Sequence, residues 1–227
     1  MIPKIKIKYS RFLDSLLREF FLLKKENKDK ALVETEDLFK NIEGYKKEWV
    51  IYEKQVLTGL LKLLPTNFYH SVIDVYIVSY WPLGRGSSEP IIIRGTFRVE
   101  SFINVLIHEI IHFFLSNNNQ KIFPSKLIKE MFPSEKNIKT INHIIVSAIE
   151  KYIYLDILKD NNRFVKEKEK TCRFESYKKA WDIVEERGYM ELINEFKNKI
   201  ELSLNKKQVP LSTNEPIGTN MDNGIRE

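Results

Sequence analysis

The sequence predicts an α+β fold that is mainly helical and contains a small β-sheet. Three observations predict it. Apolar residues in the first third recur at helical spacing, residues 71–97 are rich in β-branched and aromatic side chains, and the last third returns to helical patterns. With 227 residues, 43% of them hydrophobic and 30% charged, the chain is long enough for a full-sized globular domain with its own core. Helices, then a few strands, then more helices are typical of α+β architecture.

The N-terminal segment, residues 1–69, is predicted to be helical. Apolar residues recur every three or four positions between residues 12 and 23, and a second helical pattern extends from about Glu36 to Leu64, where Pro65 ends it. The opening MIPKIKIKYSRF alternates apolar and Lys residues. It lacks the continuous apolar core of a secretory signal peptide.

The middle of the chain is predicted to form two strands followed by a helix. The stretches SVIDVYIVSY (71–80) and IIIRGTF (91–97) have the composition of strands, and Pro, Gly and Ser residues between them predict a loop. The next apolar stretch predicts a helix over about 99–116. The polar NNNQ that follows ends it.

Helical patterns dominate the remainder of the chain. They predict helices over about 137–159, 174–187 and 189–204. We expect residues 70–204 to form the domain that carries the chemistry, with these helices at its C-terminal side. Residues 205–227 are rich in Asn, Thr, Pro and Gly and poor in apolar residues, so a disordered tail is expected there.

Composition limits the classes of partner and the compartment. The net charge of +6 comes from Lys residues that are scattered and interleaved with Glu, a pattern typical of solvated helix faces, so nucleic acid is not expected as a partner. The single cysteine, Cys172, forms no internal disulfide, which fits a reducing compartment. The longest apolar stretch, 102–115, is too short and too polar for a membrane span. A cytoplasmic protein without membrane association is therefore expected; the oligomeric state is not indicated.

The motif HEIIH at residues 108–112 carries the chemistry. Residues four apart on a helix lie one turn apart on nearly the same face, so His108 and His112 can direct ring nitrogens at one metal ion. Glu109 lies about 100° further round the helix, where it can reach a water bound to that ion. These residue types at this spacing predict a zinc site, with Glu109 as the general base that takes the proton of the water.

The surroundings of the motif favour this interpretation. Apolar residues cover nearly every other direction of the helix, and a helix that is apolar all round is buried. Buried His and Glu side chains without partners cost several kcal/mol, so the polar sector must face a metal or a set of hydrogen-bonding neighbours. The alternative is therefore a buried helix whose polar groups are satisfied by neighbouring side chains.

A catalytic zinc ion normally has a third protein ligand. In the predicted helix 137–159, His143 and Glu150 belong to one polar stripe, but they lie about 10.5 Å apart along the axis, so both cannot bind the same ion. We prefer His143, because neutral imidazole is a strong donor to zinc, and keep Glu150 as the alternative third ligand. His70 is a weaker candidate, since its position before a strand is typical of an exposed loop. The stripe could also be a hydrogen-bonded seam between helices.

A developing oxyanion needs a hydrogen-bond donor opposite the metal. Tyr154 belongs to the same polar stripe and is the preferred candidate for this catalytic role, with Arg94 and Tyr152 as further possibilities. The alternative for Tyr154 is an aromatic residue packed in the core.

The HEIIH motif, following the strand IIIRGTF, resembles the active-site helix of zincin metallopeptidases. The resemblance implies a zincin-like domain in which His108 and His112 bind zinc, one ion per chain, and Glu109 is the general base. It also implies that the preceding strand, Ile91 to Gly95, binds an extended peptide as an edge strand. The metzincin extension is absent, and the pattern is similar in outline to gluzincins, through Glu150, or to SprT-like proteins, through His143.

The expected function is a zinc-dependent metallopeptidase that acts on a peptide or protein substrate. Two alternatives remain at this point. The chain could be a catalytically inactive zincin-like binding or regulatory module, or a zinc hydrolase of a non-peptide amide.

Overall fold

The fold is described from a computed structural model over residues 1–23, 34–82, 84–117 and 124–208. Most of the predicted disordered tail, residues 209–227, lies outside the described residues. Residues 205–208, which were expected to belong to that tail, form the end of the last helix instead.

The described elements are mostly helices. In chain order they are β1 (Lys4–Tyr9), α1 (Arg11–Leu23), α2 (Thr35–Leu63), β2 (Val72–Val78), β3 (Gly86–Ser88), β4 (Ile91–Arg94), α3 (Val99–Ser116), α4 (Pro124–Met131), α5 (Ile138–Tyr152), a π-helical turn (Ile153–Ile157), α6 (Asn161–Thr171), α7 (Glu175–Arg187) and α8 (Tyr189–Gln208). The predicted α+β class, mainly helical with a small sheet beside the motif helix, is confirmed: α3 packs against β3 and β4.

The sheet has the strand order β1-β2-β4-β3. β1, β2 and β4 are parallel, whereas β3 pairs antiparallel with β4, so that Gly86 lies opposite Ile93. The prediction that Ile91 to Gly95 is an edge strand is wrong, because β4 lies between β2 and β3. The edge strand on the side of the motif helix is β3, which falls in the stretch predicted to be a loop.

The strand β1 is missing from the prediction, which made residues 1–69 entirely helical. Its alternating pattern has a physical cause: Ile5 and Ile7 are buried against the core, while the Lys residues between them are exposed. The strand pairs with β2 in register, Ile7 opposite Val75. The N-terminal segment therefore contributes a strand to the same sheet as the residues after position 70.

The remaining predicted helices are present, with three differences. The predicted helix 137–159 begins as α5 and ends in the π-helical turn Ile153–Ile157. The short helices α4 and α6 were not predicted, since a Pro-rich connector covered the first and no element was assigned to the second. Both α6 and α7 contribute residues to the wall of the site described below.

The start of α3 is fixed by close packing against α2. The ring of Phe102 is stacked on that of Tyr45, with the centroids 3.7 Å apart, and the Tyr45 hydroxyl donates to the backbone carbonyls of Gly95 and Phe97 at 3.0 and 2.6 Å. A Cβ atom at Gly95 would lie 2.1 Å from Leu38 of α2, so only glycine permits this approach. These contacts hold the motif helix at a defined angle to the sheet.

Among the described residues, α3 is the one helix whose length and mean hydropathy, 1.3 over 18 residues, would suit a membrane span. In this fold 61% of that helix is buried inside the protein. A core helix has these same properties, so the finding is weak evidence for a membrane span.

Candidate metal centre

Three histidines from two helices meet at one point. His108 and His112 lie one turn apart on α3, and His143 faces them from α5. The ring centroids are 4.8 to 5.4 Å apart, and each ring offers a nitrogen such that the three nitrogens lie within 4.8 Å of one another. The three residues are close enough to hold a metal ion, as expected for the preferred set.

Two of the imidazoles are oriented by hydrogen bonds through Nδ1. Nδ1 of His108 lies 3.1 Å from Oε1 of Glu150, and Nδ1 of His143 lies 2.6 Å from the backbone carbonyl oxygen of Lys139. Since a carbonyl oxygen can only accept, Nδ1 of His143 is the donor in that contact. Nε2 is then the nitrogen left to face the cluster in both rings. Acceptors of this kind commonly orient metal-binding histidines.

The spacing of the three nitrogens can be compared with that of a zinc site. Three nitrogens at about 2.1 Å from a common zinc ion lie about 3.4 Å apart. The observed limit of 4.8 Å leaves a side-chain adjustment of about an ångström. Glu150 contacts the outer nitrogen of His108 and is not a member of the cluster, so the geometry favours His143 over Glu150 as third ligand.

Glu109 is buried beside this cluster, with 7% of its surface exposed. Gly86 of β3 packs directly against it: a Cβ atom there would lie 2.9 Å from Oε1 and 3.1 Å from Cγ of Glu109. The carbonyl oxygen of Gly86 accepts a hydrogen bond from Nε1 of Trp81 at 3.2 Å, which helps hold β3 in place. A side chain at residue 86 would therefore crowd the Glu109 side chain in this orientation, and glycine avoids that contact.

The cluster opens into a cleft of about 600 Å³. Its walls come from β3, α3, α5, α7 and the end of α6, and the lining residues are Gly84, Arg85, Gly86, Val105, His108, Glu109, Lys139, His143, Thr171, Phe174 and Tyr177. This volume is in the range of ligand-binding pockets. Both His108 and Glu109 line it, so the site can be reached by a substrate.

Burial and mutual charge set the protonation of the cluster. Burial and then the charge of His108 lower the pKa of His143 to about 4, and burial lowers the pKa of His112 well below its usual value. For His108, burial lowers the pKa, but the charge and hydrogen bond of Glu150 outweigh this and raise it overall. Burial raises the pKa of Glu109. The lowered pKa values keep His112 and His143 neutral near pH 7, and a neutral imidazole has a lone pair that can bind a cation.

Tyr154 does not face the cleft. Its ring is buried, with 1% exposed, and its hydroxyl donates to Oδ1 of Asn104 at 3.1 Å. It lies in the π-helical turn, which changes the angular position that a continuous α-helix predicted for it. The expectation that Tyr154 stabilises the oxyanion does not fit this position; its packing and hydrogen bond fit a structural role.

Tyr177 of α7 lies against the histidine cluster, and it was not predicted as a site residue. Its ring centroid lies 4.0 Å from that of His143 and 6.1 Å from that of His108, and it lines the cleft. Burial and then the charge of Glu109 raise its pKa to about 12, so the phenol keeps its proton and remains a hydrogen-bond donor.

The other weaker candidates lie outside the cleft lining. The guanidinium of Arg94 stacks over Phe97, with its Cζ 4.9 Å from the ring centroid. Tyr152 is half-buried at the end of α5, and His70 is exposed before β2, as expected for a loop residue. None of the three lines the cleft or belongs to the histidine cluster.

Comparisons with protein-family models, with curated proteins and with solved structures found no match to this chain.

Proposed function

We propose that the chain is a zinc-dependent peptidase with a zincin-like active site. The observation that carries the proposal is the cluster of His108, His112 and His143 beside an open cleft. His108 and His143 line that cleft together with Glu109. Three histidines and an open position are a ligand set of catalytic zinc sites, whereas structural zinc sites are closed by a fourth protein ligand.

In this proposal, the imidazoles of His108, His112 and His143 would hold a zinc ion, which would supply Lewis acidity to the substrate carbonyl and to a water molecule. Glu109 accepts a proton as the water oxygen bonds to the carbonyl carbon, and it passes that proton to the amide nitrogen as the carbon–nitrogen bond breaks. Glu150 keeps the ring of His108 in the orientation that directs Nε2 at the ion. The Tyr177 hydroxyl donates to the oxygen that gains negative charge.

The edge strand β3 supports a peptide as the substrate. On its outer side an extended peptide can add as a further strand, which places its backbone along the cleft. Gly86 leaves room there for a main chain to approach Glu109. We therefore propose that the peptide binds to β3 and not, as the sequence had indicated, to the segment from Ile91 to Gly95.

The metal is tested by zinc content and affinity. We expect about one zinc ion per purified chain, and His143→Ala should weaken zinc binding more than about a hundredfold, because a direct ligand is lost. Glu150→Gln should weaken it by about ten- to a hundredfold, since only the orientation of His108 is affected. Zinc affinity is measured by competition with a chromophoric chelator.

The exposed His70 supplies the matched control, and His70→Ala should leave zinc affinity unchanged. If the chain purified under non-chelating conditions contains no zinc, the proposed function is wrong. If Glu150→Gln loses zinc while His143→Ala keeps full affinity, Glu150 is the third ligand and His143 is not.

The proposed role of the Tyr177 hydroxyl as hydrogen-bond donor to the oxyanion is tested with two Tyr→Phe variants. Tyr177→Phe should lower kcat for peptide hydrolysis by roughly a hundredfold and leave zinc content unchanged, because only the charge developing in the transition state loses a partner. Tyr154→Phe, the control, should leave kcat within about threefold, since its hydroxyl bonds to Asn104. A large fall in kcat in Tyr154→Phe, with none in Tyr177→Phe, would restore the role expected from the sequence.

A further inference from the structure

A guanidinium group lies in the wall of the cleft, near the histidines. Arg85 lies between Gly84 and Gly86, immediately before β3, and it lines the same cleft as His108 and Glu109. One of its terminal nitrogens donates to a carboxylate oxygen of Glu167, whose side chain is 6% exposed, while the Arg85 side chain is 32% exposed. One end of the guanidinium is thus buried and the rest faces the cleft.

The carboxylate that anchors Arg85 is itself held in place. Nδ2 of Asn104 donates to Oε2 of Glu167 at 2.9 Å. Oδ1 of Asn104 in turn accepts from Nε of Arg163 at 2.5 Å and from the Tyr154 hydroxyl at 3.1 Å. This buried network joins α3, α6 and the π-helical turn. It fixes the direction in which Arg85 presents its remaining donors, which lowers the entropy lost when a ligand binds.

The charges around Glu167 do not balance. Its single carboxylate contacts Arg85 and lies 3.8 Å from Nζ of Lys170, and Arg163 is linked to it through Asn104. A guanidinium has five N–H donors, and the contact with Glu167 engages one terminal nitrogen of Arg85. Glu109 and Glu150 lie within electrostatic range of Arg85, but neither is hydrogen-bonded to it within the described ranges. The remaining N–H donors of Arg85 are therefore available to a ligand in the cleft.

We propose that Arg85 recognises a carboxylate of the substrate, so that the cleft prefers peptides with an acidic side chain or a free C-terminal carboxylate near the bond to be cleaved. The inference rests on the proposed peptidase function. A carboxylate matches the planar fork of a guanidinium and forms two charge-assisted hydrogen bonds with it. Lys139 adds a second positive charge to the same cleft, and Val105 and Phe174 supply apolar surface beside it.

The test measures peptide binding in the zinc-loaded Glu109→Gln protein, which keeps the cleft but not the base. The probe is a pool of random N-acetylated hexapeptides in three forms: with free carboxylates, with an amidated C-terminus, and with an amidated C-terminus and Asn and Gln in place of Asp and Glu. Retention on immobilised protein is quantified by mass spectrometry. We expect at least about tenfold greater retention of a carboxylate-bearing pool than of the neutral pool. The amidated pool separates side-chain from terminal carboxylates.

Variants at Arg85 assign the preference. In the same background, Arg85→Gln should lower the ratio of carboxylate-bearing to neutral peptide retained by at least a fewfold. The preference that remains would come from the zinc ion alone. Arg85→Lys, which can keep the ion pair with Glu167, should reduce it severalfold because the fork is lost. Lys170→Gln is the matched control: it removes the other cation beside Glu167, lies outside the cleft lining, and should change the ratio by less than about twofold.

Four results would overturn the proposed carboxylate site. Equal retention of all three pools, or a preference that survives both Arg85 variants, overturns the carboxylate site and leaves the peptidase proposal standing. An equal loss of all pools in Arg85→Gln assigns Arg85 a structural role instead. Failure of every pool to bind overturns the carboxylate site and also counts against a peptide as the substrate.

Discussion

Glu109→Gln is expected to lower the kcat of peptide hydrolysis about a thousandfold or more, while the chain still binds one zinc ion. Glutamine has nearly the shape of glutamate but cannot accept the proton of the attacking water, and general-base catalysis contributes about 10²- to 10⁴-fold. Zinc binding should persist because Glu109 is not a member of the histidine cluster. The measurement is kcat with a cleaved peptide, together with the zinc content of the same preparation.

Glu100→Gln on the same helix is the control, since that residue is exposed in the first turn of α3 and should have no effect on kcat. Full activity in Glu109→Gln would exclude the proposed base. If the wild-type chain binds zinc and cleaves no peptide, cleavage of small non-peptide amides separates the two remaining functions. Turnover indicates an amide hydrolase, and its absence indicates a zincin-like binding module.

The sequence was sufficient to predict the two histidines that α3 contributes to the cluster. Spacing alone places His108 and His112 one turn apart, and this relation is independent of the rest of the fold. The buried, apolar surroundings of the motif could also be predicted from composition, and α3 is indeed a core helix. Local geometry on one helix is therefore the part of the site that sequence patterns determine well.

The choice between His143 and Glu150 depends on how α5 crosses α3, which no pattern within one helix encodes. Both residues belong to the predicted polar stripe of α5, and both lie next to His108. Their different roles arise from their positions along the axis of α5. His143 lies within the histidine cluster, whereas Glu150 contacts Nδ1 of His108. The sequence could identify the pair but could not rank its members.

Tyr177 was missed for a similar reason. Its helix has an inward face, on which Tyr177, Ala180, Trp181 and Val184 follow helical spacing. That pattern predicts packing of α7 against a neighbour but does not reveal that Tyr177 lines the cleft. By contrast, β1 carried a period-two signal in its own residues, Ile5 and Ile7 between lysines, and could have been predicted.

The largest expected effect on stability is at Asp14, which joins β1 and α1 to Ser79, the residue that follows β2. Its carboxylate is fully buried and accepts from the backbone N–H and hydroxyl of Ser79, from the Tyr9 hydroxyl at 2.9 Å and from Nε of Arg18 at 2.8 Å. Asp14→Ala leaves these donors without their acceptor and should lower the free energy of unfolding by about 3 kcal/mol. The matched control is Asp182→Ala, which breaks an exposed i,i+4 ion pair with Lys178 and should cost less than about 0.5 kcal/mol.

The contribution of Asp14 should also depend on pH in a defined direction. Burial raises the pKa of its carboxyl, but the hydrogen bonds from Ser79, Arg18 and Tyr9 outweigh burial and hold the pKa below its ordinary value of 3.8. A lowered folded-state pKa means that the stabilisation is complete above the unfolded-state value and is lost as the pH falls through the folded-state value. Urea unfolding of the wild type and Asp14→Ala should therefore give a constant difference from pH 7 to about pH 5, and a smaller one in stronger acid. A difference that grows as the pH falls would show that the buried group folds in its protonated form.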